Sequence, residues 1–306
     1  MIDVALMVEG QDGLTWPRWK ALAEAAESLG LAGLYRSDHF SNPDGPYKDA
    51  LDPWISFAYL AATTERIEFG PMVSPVSFRN PIESAWRGAA VDDLSGGRFH
   101  MGLGAGWQER EHRAFGFDLL ELKDRFVRFE EGVQVVKLLF ESDEPVSFEG
   151  AYFRLDDALM LPRPSRAGGP PIVIGGNGEK RTMPLAARYA DEWNAVFVTP
   201  DRFRELSGHL DRLLAAEGRT PEAMRRTVMH RVTVGATDAD VKRKTEDVDV
   251  AELKSRGAMI GTPNDVAEGI QALGDAGAQR LMAQMYDLTD LDGVELLATR
   301  VLPQLS

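Results

Sequence analysis

The sequence predicts an α/β fold, specifically a TIM (β/α)8 barrel with insertions on its rim. Eight short apolar segments occur along the 306 residues, and a helical segment follows each of them. These segments are apolar on both faces, as parallel strands covered by helices must be. Eight β/α units in roughly 250–300 residues is the usual size of such a barrel. A doubly wound sheet is the competing prediction, but its glycine fingerprint is missing from the first βα turn, VEGQDG.

The predicted strands are bounded by turn residues or by the onset of a helical pattern. In chain order they are IDVALMV, LAGLYRSDHF, RIEFGPMVSPV, RFHMGLG, PPIVIGG, DEWNAVFV, RRTVMHRVTVGAT and AQRLMAQMY. The second strand runs directly into polar residues. Polar groups at that end are notable because barrel enzymes hold their active sites at the C-terminal ends of the strands.

The predicted helices follow a capping residue or a proline, and several end at glycine. TWPRWKALAEAAESLG ends at Gly30, and two glycines close PIESAWRGAAVDDLSGG. The other predicted helices are DPWISFAYLAATT, a long segment from about Asp124 to Phe140, EKRTMPLAARYA and a C-terminal segment. Two stretches, near 146–170 and 237–261, do not fit a bare barrel. We therefore predict one domain, 1–306, with a hairpin and Pro-rich loop in the first insertion and a charged second insertion.

Composition limits the possible function classes. The chain has 34 Lys and Arg against 48 Asp and Glu, a net charge of −14, which argues against a nucleic-acid partner. It has no cysteine, which removes disulfides, thiolate metal sites and cysteine nucleophiles. No signal peptide is predicted, and no segment approaches the roughly 18 apolar residues of a membrane span. We expect a cytoplasmic protein without a nucleic-acid or membrane partner.

Two of the predicted outer helices are rich in aromatic residues. DPWISFAYLAATT and PIESAWRGAAV carry Trp54, Phe57, Tyr59 and Trp86. Large exposed apolar patches mark interfaces, so we predict a homodimer that buries these helices. The alternative is that the rings pack inward on the barrel.

The end of the second strand carries Asp38 and His39. A histidine at this position can donate or accept a proton near neutral pH. Hydrogen bonding to a loop carbonyl is the alternative role for His39, and its position alone does not separate the two.

The fourth strand ends in MGLGAGW, which places Gly102, Gly104 and Gly106 in alternation. Without a Cβ atom, such a backbone can lie against a flat ring or an anion. The spacing is not that of a dinucleotide fingerprint, and tight packing at the barrel rim is the alternative.

The fifth strand ends in IVIGGNGEKRT, with Lys180 and Arg181 expected in the first turn of the next helix. Free amides at a helix start, combined with glycine access, predict an anion site. Basic residues are disfavoured in a first turn by the helix dipole, and a bound phosphate would offset that. A plain glycine turn with solvated charges is the alternative.

One further segment could have held a metal ion. WQEREH contains Glu109 and His112 as a single Glu-x-x-His pair. A dinuclear carboxylate site would need two such pairs and two further glutamates, so we predict no metal site.

Taken together, these segments resemble the luciferase-like monooxygenase superfamily, and specifically its branch that depends on the deazaflavin coenzyme F420. The similarity lies in GLYRSDHF, FGPMVSPVSFRNP, LSGGRFHMGLGAGWQEREHRAFG, VIGGNGEKRTMPLAARYADEWN and LLATRVLP, which span nearly the whole chain in the family's order. The resemblance implies a TIM barrel, usually homodimeric, that binds a flavin or deazaflavin at the C-terminal face of its strands.

The resemblance also implies roles for individual residues. His39 would lie near the reactive ring as a catalytic acid/base, and Asp38 would help to hold that ring. Met72 and Val73 would be joined by a non-proline cis peptide that forms a bulge behind the ring. The remaining cofactor-binding residues implied are Gly104, Ala105 and Gly106 along the ring and tail, and Gly175, Gly176, Asn177 and Gly178 in a phosphate-binding turn.

The implied activity is hydride transfer between C5 of F420 and a small organic substrate. The alternative is an FMN-dependent monooxygenase served by a separate reductase, since one fold supports both. A cofactor-binding relative without turnover is a third possibility. Sugar-phosphate dehydrogenases of the F420 branch carry a tryptophan four residues after the histidine, where this chain has Pro43. That departure argues against a sugar-phosphate substrate.

Overall fold

Parallel strands arranged as a nearly closed barrel form the centre of the protein. A computed structural model of the chain describes residues 2–305. The strands are β1 (Asp3–Val8), β2 (Gly33–Arg36), β3 (Glu68–Pro71), β4 (Ser74–Pro75), β5 (Met101–Gly104), β6 (Val146–Glu149), β7 (Arg154–Ala158), β8 (Ile172–Gly175), β9 (Glu192–Val196), β10 (Arg225–Val234), β11 (Met259–Gly261) and β12 (Arg280–Met285). Around the barrel the order is β3-β2-β1-β12-β10-β9-β8-β5-β4, with β11 added beside β10.

The third predicted strand, RIEFGPMVSPV, is divided into β3 and β4. The peptide bond between Met72 and Val73 is cis, as the resemblance implied, and it lies at the break. β3 pairs with β2, whereas β4 pairs with β5. Phe69 also exchanges backbone hydrogen bonds with the segment leading into β5, donating to Arg98 O at 3.1 Å and accepting from His100 N at 2.9 Å. These bonds close the barrel and confirm the predicted fold class.

Helices cover the outside of the barrel. They are α1 (Trp16–Ser28), α2 (Pro53–Thr63), α3 (Pro81–Ser95), α4 (Glu109–Phe115), α5 (Leu122–Glu141), α6 (Thr182–Tyr189), α7 (Pro200–Ala216), α8 (Asp238–Lys244), α9 (Val250–Ser255), α10 (Pro263–Asp275) and α11 (Leu291–Leu296). Proline opens α2, α3 and α7, and side chains of Asp52, Asn80 and Thr199 cap them. Among residues 2–305, no helix is both long and apolar enough to cross a membrane.

The two segments outside the bare barrel are ordered. β6 and β7 pair antiparallel as a hairpin, as predicted for the first insertion. The second stretch forms α8 and α9 and ends in β11, which pairs parallel with the C-terminal half of β10. The charged stretch therefore returns to the sheet as a strand. The single-domain assignment and the bounds of the insertions stay predictions.

The inside of the barrel is filled in layers. Its central apolar layer consists of Ala5, Met7, Tyr35, Met72, Val173, Met229 and Met282. A larger apolar core lies between the strands and the surrounding helices. Below the central layer, at the N-terminal ends of the strands, lie charged side chains from Glu68, His100, Glu192 and Arg280. The candidate site lies above it, at the opposite ends of the strands.

The aromatic residues of α2 and α3 are less exposed than the sequence suggested. Trp54 and Phe57 are buried within the chain itself, where both pack against Phe99. Tyr59 is half-buried and meets Trp16 edge-on. Of the four rings, Trp86 alone is exposed. The expectation that all four form an outer surface is therefore wrong, because two of them complete the core around the barrel.

Candidate active site

Two adjoining cavities open at the C-terminal ends of the barrel strands. The smaller has a volume of about 220 Å³ and the larger about 460 Å³. Five residues line both cavities: His39, Met72, Val73, Trp107 and Gly175. The cavities therefore meet at the end of β2, at the cis peptide and at the end of β8.

Most of the residues that the sequence predicted for the site lie around these cavities. Gly104, Ala105 and Gly106 line the smaller one, and Gly176 lines the larger. Asp38, Asn177 and Gly178 are not among the lining residues. Their roles follow from the contacts described below.

His39 is held by a carboxylate from a distant part of the chain. Its Nδ1 lies 2.7 Å from Oε1 of Glu111, and Oε2 of Glu111 accepts a hydrogen bond from the backbone N–H of Phe40 at 2.8 Å. Because a carboxylate only accepts, Nδ1 carries the hydrogen. This leaves Nε2 as the ring nitrogen available to a ligand. Glu111 is fully buried at the start of α4, so the pair is shielded from solvent.

The environment favours the protonated form of His39. Burial alone would lower the pKa of the imidazole, but the hydrogen bond and negative charge of Glu111 outweigh it, and the pKa is raised. The ring of Trp107 meets the imidazole edge-on, with centroids 5.7 Å apart. Trp107 is itself 60% exposed at the junction of the two cavities. His39 can therefore hold a proton near neutral pH beside an open apolar wall.

Asp38 faces a different set of partners from its neighbour. Its carboxylate accepts a two-point hydrogen bond from Arg79, with the closest pair at 2.7 Å, and another from Ser74 Oγ at 2.7 Å. Asp38 is fully buried. Its side chain fixes the segment that follows the cis peptide, so its position is behind the cavity wall rather than in it. A role for Asp38 in holding the ring would therefore be indirect, through the segment that carries Ser74 and Arg79, and it stays a prediction.

The glycines at the end of β5 allow two backbones to lie close together. A Cβ atom on Gly102 would clash with the carbonyl oxygen of Pro71, and one on Gly104 would lie 2.5 Å from Val73 Cγ2. Gly106 adopts a φ of +84°, and a Cβ there would clash with Ser77 Oγ. The alternation is therefore needed for packing of β5 against the bulge, the alternative that the sequence left open.

The turn after β8 presents unpaired backbone N–H groups. Gly176 has a φ of +118° and donates its N–H to Asn194 O at 2.9 Å. Asn177 binds the backbone of Val196 through both ends of its amide, at 2.7 and 2.9 Å. Within residues 2–305, the N–H groups of residues 177–180 donate to no protein acceptor. Asn177 thus anchors the turn, and the main chain supplies donors for an anion.

The basic residues of this turn precede the helix rather than opening it. α6 begins at Thr182, so the prediction that Lys180 and Arg181 lie in its first turn is wrong. Residues 178–181 form an exposed turn instead. The guanidinium of Arg181 lies 5.8 Å from the ring centroid of Phe126, which lines the smaller cavity. A positive charge therefore lies at the mouth of that cavity.

His112 has a structural role. Its Nδ1 donates to Gln108 O at 2.7 Å, and its Nε2 accepts from Ser77 Oγ at 2.8 Å. Burial lowers the pKa of His112, consistent with a neutral ring. In the described part of the chain, no cluster of three or more His, Asp or Glu side chains is arranged to hold a metal ion.

Comparison with known proteins places the chain in a family. The model of the luciferase-like monooxygenase family matches residues 4–252. The chain belongs to the luciferase-like monooxygenase family. Its members are oxidoreductases, and the barrel described above is their fold.

Named relatives of this luciferase-like chain use two cofactors. An F420-dependent hydroxymycolic acid dehydrogenase of Mycobacterium tuberculosis (strain ATCC 25618 / H37Rv) is 28% identical, over 94% of this chain and 84% of the relative. An FMNH2-dependent dimethylsulfone monooxygenase of Pseudomonas putida is 25% identical, over 93% of this chain and 86% of the relative. A solved F420-dependent secondary alcohol dehydrogenase, in complex with an F420-acetone adduct, superposes with a TM-score of 0.88 at 20% identity, covering 100% of this chain and 99% of its own.

Two residues of this luciferase-like site escaped the sequence analysis. Glu111 was not predicted, because Glu109 and His112 in the same segment form a spaced pair typical of metal sites and Glu111 matches no such pattern. Trp107 was treated only as the end of a glycine stretch. The available signal was chemical, since a catalytic histidine needs an orienting partner and carboxylates are frequent ones. Glu109, Glu111 and His112, in the segment after the fourth strand, were the nearest candidates for this partner at the same face of the barrel.

Proposed function

We propose that the protein is an F420-dependent oxidoreductase that transfers a hydride to or from a small organic substrate. The observation that carries the proposal is the pairing of His39 with Glu111 at the junction of two cavities. The F420-dependent relatives support the choice of cofactor. A protonatable group held there can accompany a two-electron transfer, which hydride chemistry on a carbonyl or alcohol requires.

The residues present fit a flat ring with an anionic tail. The cis peptide of Met72 and Val73 offers a wall shared by both cavities, and the smaller cavity leads from it past Gly106 towards Thr182. Unpaired N–H groups of residues 177–180 suit a phosphate. When bound, F420 supplies the hydride chemistry, and the protein supplies orientation and electrostatics.

The chain's own part in the reaction is to hold and transfer a proton at His39. Nδ1 is fixed by Glu111, so the imidazole presents Nε2 to the ligand in one orientation. Raised basicity lets Nε2 hold a proton that it donates as negative charge develops on a substrate oxygen or nitrogen. In the reverse direction Nε2 accepts that proton, and Glu111 stabilises the resulting imidazolium. Trp107 covers one edge of the imidazole ring.

An FMN-dependent monooxygenase is the second candidate function. It is supported by the FMNH2-dependent relative and by the same cavities, which a flavin ring would also fit. Binding distinguishes the two. Titrating the purified protein with F420 and with FMN, each followed by fluorescence, should give the lower dissociation constant for F420. Tighter binding of FMN, or retention of FMN through purification, would favour the monooxygenase.

A glycine of the turn after β8 should be needed for cofactor binding. A Cβ on Gly178 would lie 2.8 Å from Thr182 Oγ1, inside the curve of the turn. Gly178→Ala should therefore raise the dissociation constant for F420 by roughly tenfold, about 1.4 kcal/mol. Gly208→Ala on α7 is the matched control, because a Cβ there meets nothing within 4 Å. Equal affinities in the two variants would remove the turn from the cofactor site.

We also propose that the protein is a homodimer through α2 and α3. Ile55, Trp86 and Leu94 on these adjacent helices remain 60%, 40% and 58% exposed. The double change Ile55→Asp and Trp86→Glu should convert a dimer to a monomer in light scattering, because it places charge in an apolar interface. Leu161→Asp, at an exposed loop residue elsewhere, should leave the mass unchanged. A monomeric wild-type protein at micromolar concentration would contradict the proposal.

A further inference from the structure

The lining of the larger cavity is rich in hydrogen-bond acceptors. Glu9 and Asp12 line it, together with Gln284 and Asn194. Of the described residues that line this cavity, none is a lysine or an arginine. Lys48 pairs with Asp12 at 3.5 Å and offsets its charge, and the Arg231 guanidinium lies over the ring of Tyr286, another lining residue, at 4.6 Å. Among residues 2–305, Glu9 makes no ion pair; its carboxylate accepts from the amides of Gln11 and Gln284.

Two amide oxygens in this lining lack a partner. Gln284 Oε1 and Asn194 Oδ1 are buried without a hydrogen bond, and the two residues are only 2% and 1% exposed. An unsatisfied buried acceptor is unfavourable, so a ligand that supplies an N–H donor to it gains free energy on binding.

The neighbouring contacts fix the direction of both amides. Gln284 Nε2 donates to Glu9 Oε1 at 2.5 Å, and because a carboxylate only accepts, the oxygen of Gln284 must be the other end. Asn194 Nδ2 donates to Thr227 Oγ1 at 2.9 Å. The Thr227 hydroxyl in turn donates to Glu192 Oε1 at 2.7 Å, so it accepts from Asn194. Neither amide can flip without losing these bonds.

The rest of the wall is apolar. Val196, Phe197 and Met229 line the cavity on the side of β9 and β10. A ligand that fits therefore has an apolar body and a polar end that donates hydrogen bonds. The Glu9 carboxylate, which has no cationic partner in the described part of the chain, favours positive charge at its end of the cavity and disfavours a phosphate or carboxylate there by like-charge repulsion.

We propose that the larger cavity takes a substrate with an amine group on an apolar body, and not a phosphate ester or a carboxylate. This proposal rests on the proposed function in one respect: the ligand is a substrate only if the protein is an oxidoreductase. The amide oxygen of Gln284 accepts from the amine N–H groups, and the Glu9 carboxylate that holds this amide matches the charge of the amine. The cavity that the two amides line adjoins His39, where the proposed chemistry takes place.

The test compares two probes that share a phenyl ring and differ in charge, together with a phosphate ester. Benzylamine, benzoate and glucose 6-phosphate are titrated into F420-loaded and F420-free protein, with binding followed by ligand-observed NMR and calorimetry. Benzylamine should bind at least about tenfold more tightly than benzoate, because its charged amine donates hydrogen bonds that are stronger than those between neutral groups. Glucose 6-phosphate should not compete with benzylamine. Equal or tighter binding of either anion would overturn the proposal.

Substitutions test which side chains of the cavity bind benzylamine. Gln284→Met keeps the side-chain length but removes the acceptor, and Glu9→Gln removes the negative charge beside it; each should weaken benzylamine binding severalfold. Gln271→Met, the same change on α10, should have no effect. If Gln284→Met weakens F420 binding and leaves benzylamine binding intact, the acceptor serves the cofactor and the proposal fails. If F420 does not bind at all, the proposed function fails, while the probe preference is still decided on F420-free protein.

Discussion

Replacing His39 with alanine or asparagine should lower turnover by about 10²–10⁴-fold, the usual contribution of a general acid/base. Asparagine retains a polar group but cannot carry the proton, so it should behave like alanine in rate. The dissociation constant for F420 should change far less, because the turn after β8 and the wall at Met72 and Val73 remain. High activity in His39→Asn would leave His39 as a binding residue only.

Replacing Glu111 tests the acid/base role of His39 more specifically than replacing His39 itself, because Glu111 acts through the imidazole. Glu111→Gln removes the charge that raises the pKa of His39, so that pKa should fall. The protonated fraction of His39 at a given pH then decreases, and the limb of the pH–rate profile due to His39 should move to lower pH. Glu109→Gln, an exposed neighbour on the same helix, is the matched control. The NMR titration of the His39 imidazole gives the same readout without a substrate. An unmoved titration in Glu111→Gln would exclude this coupling.

The barrel could be predicted because its information is local. Each strand is a short apolar segment followed by a helical one. The burial of a residue such as Val173 can be predicted from that segment alone, without knowing its partners in the fold. The division of the third strand could not be obtained this way. The break depends on the cis peptide at Met72, and the apolar pattern is continuous across it.

Only part of the site could be predicted from the sequence. The glycines and His39 were found because they lie at strand ends, a position that the pattern gives directly. Glu111 is 72 positions from His39, and no periodicity links the two. Asp38 illustrates the reverse case, since its neighbour lines the cavity while its own carboxylate turns to Arg79. Adjacent residues in an extended chain point to opposite faces, and the register decides which one enters the site.

Replacing His100 with leucine should have the largest effect on stability. The imidazole lies at the bottom of the barrel between two carboxylates, with Nε2 3.1 Å from Glu68 Oε2 and Nδ1 3.5 Å from Glu192 Oε2. Glu192 is almost fully buried, and its remaining oxygen accepts from Thr227. Removing one partner of a buried ion pair costs about 3–5 kcal/mol, because the other charge is left uncompensated.

The pH dependence follows from the directions of the pKa shifts. Burial alone would lower the pKa of His100, but Glu192 and Glu68 raise it, so its contribution is complete below about pH 6.5 and is lost as pH rises through the raised pKa. Burial alone would raise the pKa values of Glu68 and Glu192, but His100 lowers both. Their contribution is complete above about pH 4.3 and is lost as pH falls through the lowered values.

The stability difference between wild type and His100→Leu should therefore be greatest between about pH 4.3 and 6.5, and should decrease on either side. Chemical denaturation across this range measures it, with His209→Leu on α7 as the control for the same side-chain change. His209 makes only long contacts, to Glu179 O at 3.4 Å and to Arg212 Nη2 at 3.5 Å, so its replacement should be nearly neutral at every pH. A difference for His100→Leu that does not vary with pH would mean that packing around the ring, and not the charge on the imidazole, stabilises the base of the barrel.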